Sequence, residues 1–134
     1  PYNFWLLNPN DVPGREKLST AFPSSQYSDT RIRTRIDQID WKANPLLPGD
    51  FVYIYAGNGG NFEHMLVVNR VDSEGRAYSV TNYNAGTGFV IQEVMLYDPD
   101  DSDVGMFHKW TLRQWQLTGS TGFDGIEVWR LMTP

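Results

Sequence analysis

Cysteine is missing altogether from the 134 residues of the chain. Its absence excludes disulfide bonds and thiolate metal sites, and it leaves the chain without a cysteine nucleophile of its own. Histidine is scarce, with only His64 and His108. The side chain that titrates nearest to neutral pH is therefore confined to two positions.

Long apolar runs and an excess of positive charge are missing as well. Runs such as residues 51–56 and 65–68 have the length of strands, whereas a helix that spans a bilayer needs about 20 apolar residues. The formal net charge is −5, and neighbouring aspartates offset the basic cluster of Arg31, Arg33 and Arg35. We therefore expect no membrane span and no nucleic-acid partner.

Apolar side chains are plentiful: 40% of the residues are hydrophobic and 14% are aromatic. This is enough to build one core in a chain of this length. We expect a single domain over residues 1–134, with an arm and short helices in residues 1–45 and a sheet in residues 46–134. The sequence opens at Pro1 without a leader peptide, so we expect a processed product or a fragment of a longer chain.

Two short helices are predicted near the N-terminus. The first covers residues 13–22, where a proline at the start suits the first turn of a helix. The second covers residues 29–39, because Ile32, Ile36 and Ile39 recur at spacings of four and three and so share one helical face.

The remainder of the chain has the pattern of an antiparallel sheet. Stretches rich in β-branched and aromatic residues alternate with turns rich in Gly, Asn and Asp. The predicted strands cover residues 50–55, 62–71, 76–83, 88–97, 106–112 and 125–131. The predicted fold class is α+β, with short N-terminal helices followed by a curled antiparallel sheet of about five or six strands.

His64 and Asn82 are the candidate site residues. His64 opens the second predicted strand after a glycine-rich turn, where its ring can reach a cleft at the rim of the sheet. If a hairpin links residues 71 and 77, Asn82 lies opposite His64 or one diagonal step away. An amide oxygen that accepts from the imidazole would hold it in one tautomer, as a base requires. The alternative is that His64 caps a strand and Asn82 bonds a turn.

Three segments follow one another over residues 46–84: a Pro-Gly-Asp turn into a strand, a strand that begins with a histidine, and a hairpin into a strand with an asparagine. They read LPGDFVY (47–53), EHMLVV (63–68) and DSEGRAYSVTNYN (72–84). This order resembles the papain-like cell-wall hydrolases of the CHAP and NlpC/P60 families. The resemblance implies the sheet half of a papain-like fold, with His64 as general base, Asn82 as its orienting partner and Asp50 as a structural residue.

The chain departs from the family pattern in two places. CHAP proteins usually have an acidic residue where this chain has Val80, and the family nucleophile is a cysteine on a helix that precedes the strands. Three explanations stay open: the nucleophile lies on an upstream segment or partner chain, the domain is a degenerate relative that only binds, or another residue replaces the cysteine. Serine is the obvious substitute, but its hydroxyl is harder to deprotonate than a thiol. The serines that precede the sheet are Ser19, Ser24, Ser25 and Ser28.

The expected function is an amidase or peptidase module acting on peptidoglycan-type amide bonds, with its nucleophile supplied from outside these residues. The alternative is a non-catalytic module that binds glycan or peptide. The resemblance implies an extracellular or cell-envelope location and a peptide or peptidoglycan substrate. A third class, a plain interaction subunit, rests on the apolar residues 4–7, which could dock on another chain.

No cofactor and no metal is expected. The acidic loop at residues 98–103 offers oxygen ligands that would suit calcium, but it lacks the glycine and glutamate positions of an EF-hand. Aromatic side chains could line a sugar-binding surface, although in a small β-domain most of them fill the core. The aromatic residues concerned are Phe107, Trp110, Trp115, Phe123 and Trp129.

Overall fold

A six-stranded antiparallel sheet forms the body of the protein. The computed structural model describes residues 27–55, 64–84, 87–118 and 123–131. The strands are β1 (Tyr27–Ile32), β2 (Phe51–Ile54), β3 (His64–Val71), β4 (Ala77–Asn84), β5 (Phe89–Tyr97) and β6 (Ile126–Leu131), with helix α1 (Met106–Thr118) between β5 and β6. The order across the sheet is β1-β6-β2-β3-β4-β5. The predicted antiparallel sheet of about five or six strands is confirmed.

The predicted helix over residues 29–39 is wrong. Residues 27–32 form β1, which pairs along its whole length with β6. Ile36 and Ile39 are nevertheless buried, so the apolar spacing marked core residues in the turns after β1 and not a helical face. Pairing with a distant strand outweighed the local pattern here. The predicted helix over residues 13–22 and the apolar arm lie outside the described residues.

The predicted strand over residues 106–112 is also wrong, because these residues begin α1. Phe107 and Thr111 are buried one helical turn apart, which is the 3.6-residue period of a helix packed on a sheet. Gly105 lies just before the helix with a φ of 95°, and a Cβ there would lie 2.6 Å from the carbonyl oxygen of Leu96. The close approach of the backbone to the end of β5 therefore requires glycine.

The core lies between α1 and one face of the sheet. It takes alternate residues from the strands and closes over the ring of Trp41, which stacks on Tyr97 at a centroid distance of 4.1 Å. The hydroxyl of Tyr97 accepts a hydrogen bond from the Leu46 amide at 2.9 Å. The members contributed by the central strands are Val52, Ile54, Leu66, Val68, Ile126 and Val128.

Asp50 fixes the turn that leads into β2. Its side chain is fully buried and accepts hydrogen bonds from the Nε and Nη2 atoms of Arg130 at 2.8 Å each. The Leu47 amide donates to the same carboxylate at 2.8 Å. Gly49, with a φ of 90°, donates its amide to the Val68 carbonyl. Asp50 therefore holds the Pro-Gly-Asp turn against β3 and β6, which is a structural role.

No helix among the described residues is long and apolar enough to cross a membrane.

Candidate functional site

His64 is the first residue of β3 and pairs in register with Ile54 of β2. Because side chains alternate along a strand, it shares the core-facing side of β3 with the buried residues Leu66 and Val68. The His64 side chain is half-buried. The imidazole thus lies at the start of the strand, on the same face of the sheet as α1.

Thr81 of β4 has a polar side chain that is hydrogen-bonded to this ring. The Nε2 atom of His64 lies 2.8 Å from the Oγ1 atom of Thr81, and the Thr81 side chain is buried. In one tautomer the ring donates to the hydroxyl and Nδ1 carries the lone pair; in the other tautomer the hydroxyl donates to Nε2. A hydroxyl at hydrogen-bonding distance on a rigid strand restricts how the ring can turn.

The indole of Trp110 covers part of the same ring. The two ring centroids are 4.9 Å apart and the planes are inclined by 55°. Burial lowers the pKa of His64 from its ordinary value of 6.5, since a charged imidazolium is disfavoured away from water. The imidazole is therefore neutral at neutral pH, the state in which a histidine can accept a proton.

The expected contact between His64 and Asn82 is not found. Asn82 is exposed and pairs in register with Ile91 of β5, itself 77% exposed. Its side chain projects from the face of β4 opposite to that of the buried Thr81, since neighbouring residues in a strand alternate. The two predicted site residues thus lie on opposite faces of the sheet.

A β-bulge in β3 is the physical reason. Val68 pairs with Ser79, whereas Arg70 pairs with Tyr78, so Asn69 is an extra residue on β3. A regular ladder continued from the turn would place Leu66 opposite residue 82. Because the bulge shifts the register by one residue, the ladder continued from Val68 places Leu66 opposite residue 81. A one-residue shift exchanges the faces of a strand, which brings His64 to Thr81.

His108, the second histidine, lies on α1 at a different place. It lines a small cavity of about 80 Å³ together with Trp41, Tyr97, Asp98 and Asp101. Asp98 and Asp101 each accept a backbone amide two residues further along, as Asp does in turns. Among the residues that the structure describes, no group of three or more histidine or acidic side chains could hold a metal ion.

The aromatic residues considered for sugar binding are mostly core residues. Phe107, Phe123 and Trp129 are buried, and Trp110 packs against the core. Trp115 is the exception, with 59% of its surface exposed. Of the four serines considered as nucleophiles, Ser28 lies on β1 opposite Arg130 and the others lie outside the described residues.

No protein-family model matches the chain, and neither the curated proteins nor the solved structures contain a match to it. The relationship to the CHAP and NlpC/P60 families therefore stays a hypothesis that rests on the residues quoted above.

Thr81 and Trp110 are the two residues of this site that sequence reasoning missed. Thr81 is adjacent to the predicted partner Asn82, and the bulge in β3 determines which of the two side chains lies on the same face as His64. Trp110 was assigned to a strand, but its spacing of three from Phe107 on one face of α1 was a helical signal in the sequence. A helical reading of residues 106–118 would have placed Trp110 on the core side of the sheet.

Proposed function

We propose that this chain carries the base half of a papain-like amidase or peptidase site, with His64 as general base and Thr81 as the residue that orients it. The observation that supports the proposal is the 2.8 Å contact between His64 Nε2 and Thr81 Oγ1 beside a half-buried, neutral imidazole. A base held in one orientation by a third group is the arrangement of a catalytic triad. Thr81 takes the place that the sequence assigned to Asn82.

The proposed chemistry is amide hydrolysis through a thioester. With Nε2–H donated to Thr81, the Nδ1 atom of His64 takes the proton of a thiol. The thiolate attacks the amide carbonyl carbon, the imidazolium gives the proton to the departing amine as the C–N bond breaks, and water then hydrolyses the thioester to release the acid and the thiol. The 134 residues contain no cysteine, so the thiol must belong to another polypeptide segment.

The test uses this chain together with every residue that its natural polypeptide adds, incubated with purified peptidoglycan while newly released amino groups are counted. His64→Gln should lower the rate at least about 100-fold, because a positioned base contributes at least that much. Thr81→Val should lower it about tenfold, the size of one neutral hydrogen bond, and Thr81→Ser should restore it. Thr30→Val, at an exposed position on β1, is the matched control and should keep the wild-type rate.

Two outcomes would contradict the assignment. If Asn82→Ala lowers the rate and Thr81→Val does not, the orienting residue is Asn82, as the sequence suggested. If the natural polypeptide releases no amino groups from peptidoglycan or from stem peptides, the hydrolase proposal fails.

A non-catalytic binding module is the second candidate, and one observation favours it. The face of β3, β4 and β5 opposite to α1 exposes large apolar side chains, and exposed apolar patches mark binding surfaces. They are Val67, Val80, Phe89 and Ile91. Binding of glycan or peptide fragments that shifts the NMR signals of these four residues, with those of His64 unchanged, would support this second function. Either function is compatible with a peptide or peptidoglycan partner and a location at the cell envelope, both of which are proposals from the resemblance.

A further inference from the structure

Helix α1 is fixed where it meets the sheet. Gly105 allows the chain to pass against the end of β5, and the first turns of the helix bury Phe107 and Thr111. The hydroxyl of Thr111 donates to the carbonyl of Phe107 at 2.8 Å. Trp110 lies on the same side of the helix, three residues after Phe107, so the helix presents its indole to the sheet.

The indole of Trp110 is held by aromatic contacts on more than one side. The Phe123 ring meets it edge-on at a centroid distance of 6.1 Å, and the Phe107 ring lies at 6.2 Å with a tilt of 41°. Both phenylalanines are buried. The indole therefore has little room to move. The imidazole of His64, at a centroid distance of 4.9 Å, thus contacts an aromatic ring whose orientation is fixed by its neighbours.

We propose that Trp110 is a positioning residue for His64: its fixed indole holds the imidazole in the plane in which one ring nitrogen stays on Thr81. This inference deepens the proposed function and rests on it, because a fixed ring matters for a base that must meet its substrate in one orientation. Trp110 acts through His64 and is not itself placed on the reacting atoms. A helix between β5 and β6 thereby becomes part of a site that the sequence placed on strands alone.

Among the described residues, β2, β4 and α1 each contribute a neighbour of His64, and α1 contributes the Trp110 indole. Ile54 pairs with His64 from β2, Thr81 contacts it from β4, and Tyr83 lies two residues beyond Thr81 on the same face of β4. The charged neighbours of Trp110 on α1, Lys109 and Arg113, are exposed. Removing the indole should therefore admit water to the ring without adding or removing a charge.

The experiment is an NMR pH titration of the His64 ring in the isolated chain, with 15N shifts that report its tautomer. Trp110→Ala should shift the His64 pKa upward toward its ordinary value and mix the two tautomers, because the ring becomes hydrated and free to turn. Trp110→Phe, which keeps an aromatic wall, should shift the pKa in the same direction by less. Trp115→Ala removes an exposed tryptophan from the same helix and should leave both readouts unchanged.

The outcomes separate this inference from the proposed function. If Trp110→Ala unfolds the chain, the titration and the tautomer of His64 in Trp110→Phe test the inference instead. Unchanged titration and tautomer of His64 in the folded Trp110 variants, or an equal change in Trp115→Ala, would overturn the inference even if the natural polypeptide hydrolyses peptidoglycan. If the Trp110 variants shift the ring as expected but the natural polypeptide cleaves nothing, the positioning role stands as a property of the ring and the hydrolase proposal alone fails.

Discussion

The two halves of the sheet are built differently. In β2 and β6 neighbouring residues are buried on both faces: Tyr53 and Ile54 are 1% and 0% exposed, and Ile126 and Glu127 are both 0% exposed. In β5 the first residues are open to solvent, with Ile91 77% exposed. A strand that is covered on both faces removes more apolar surface from water than a strand with one exposed face, so β2 and β6 should determine the stability of the fold. The exposed side chains at the start of β5 can therefore change at little cost to stability.

The largest difference is expected between two arginine–carboxylate pairs of similar geometry. Arg130→Ala leaves the fully buried Asp50 carboxylate without its cation and should cost about 3–5 kcal/mol of unfolding free energy. Arg70 pairs with Glu93 on the exposed half, at side-chain exposures of 49% and 38%. Arg70→Ala should cause less than about a quarter of that loss, because water screens the pair. Urea titrations of both variants check this, and equal losses would break the comparison.

Two isoleucines give the next contrast. Ile126→Ala removes a side chain that is 0% exposed on β6 and should cost about 2–4 kcal/mol, through lost burial and the cavity left behind. Ile91→Ala on β5, at a residue that is 77% exposed, should change the unfolding free energy by less than about 0.5 kcal/mol. The thermal unfolding midpoints of the two variants, each compared with the wild type, measure this contrast. A large loss in Ile91→Ala would mean that something covers this face in solution.

Two glycines sharpen the comparison at the level of the backbone. Gly125, just before β6, and Gly88, just before β5, have similar φ values of 137° and 133°. A Cβ on Gly125 would collide with the carbonyl oxygen of Ile32, whereas a Cβ on Gly88 would meet nothing within 4 Å. Gly88→Ala should cost only the backbone strain, about 1 kcal/mol, and Gly125→Ala should cost about 1–2 kcal/mol more. Similar costs would show that β1 and β6 can move apart.

The smallest effect on stability is expected in β3, the strand between β2 and β4. Its residues 64–67 pair with β2, and its residues 68–71 pair with β4. Burial lowers the pKa of folded His64, so below pH about 6.5 the unfolded chain binds the proton more readily. The unfolding free energy therefore does not depend on the protonation of His64 above that pH, and it decreases as the pH is lowered below it. His64→Gln should remove this part of the pH dependence, measured as the urea midpoint at pH 8 and pH 5. If the difference between the two urea midpoints is the same in His64→Gln as in the wild type, the His64 ring is exposed to solvent in the folded chain.

Much of the sheet could be predicted from the sequence, because residues that favour turns separate stretches of residues that favour strands. The turn at residues 72–76 is an example: Asp72 accepts the amides of Glu74 and Arg76, and Gly75 has a φ of 83°. β1 and α1 could not be predicted in the same way. The strand depends on pairing with β6, almost one hundred residues later, and the helix on packing against β5.

The candidate site was predicted only in part. His64 was placed correctly at the start of a strand, but its partner depended on one extra residue, Asn69, in a ladder that otherwise follows the turn. Composition and spacing do not reveal such a bulge, since the residues before it alternate equally well in either register. The contact with Trp110 depended on a helix that sequence patterns had assigned to the sheet.

The strand order has a consequence for biosynthesis. β6 lies between β1 and β2, yet among the described residues it is the last to leave the ribosome, so β1 emerges long before its partner does. β2 to β5 are consecutive neighbours and can pair while translation continues. Until residues 126–131 arrive, the edges of β1 and β2 stay open and could pair with other nascent chains. A ribosome stalled just short of β6 should therefore carry a folded meander and an unprotected β1.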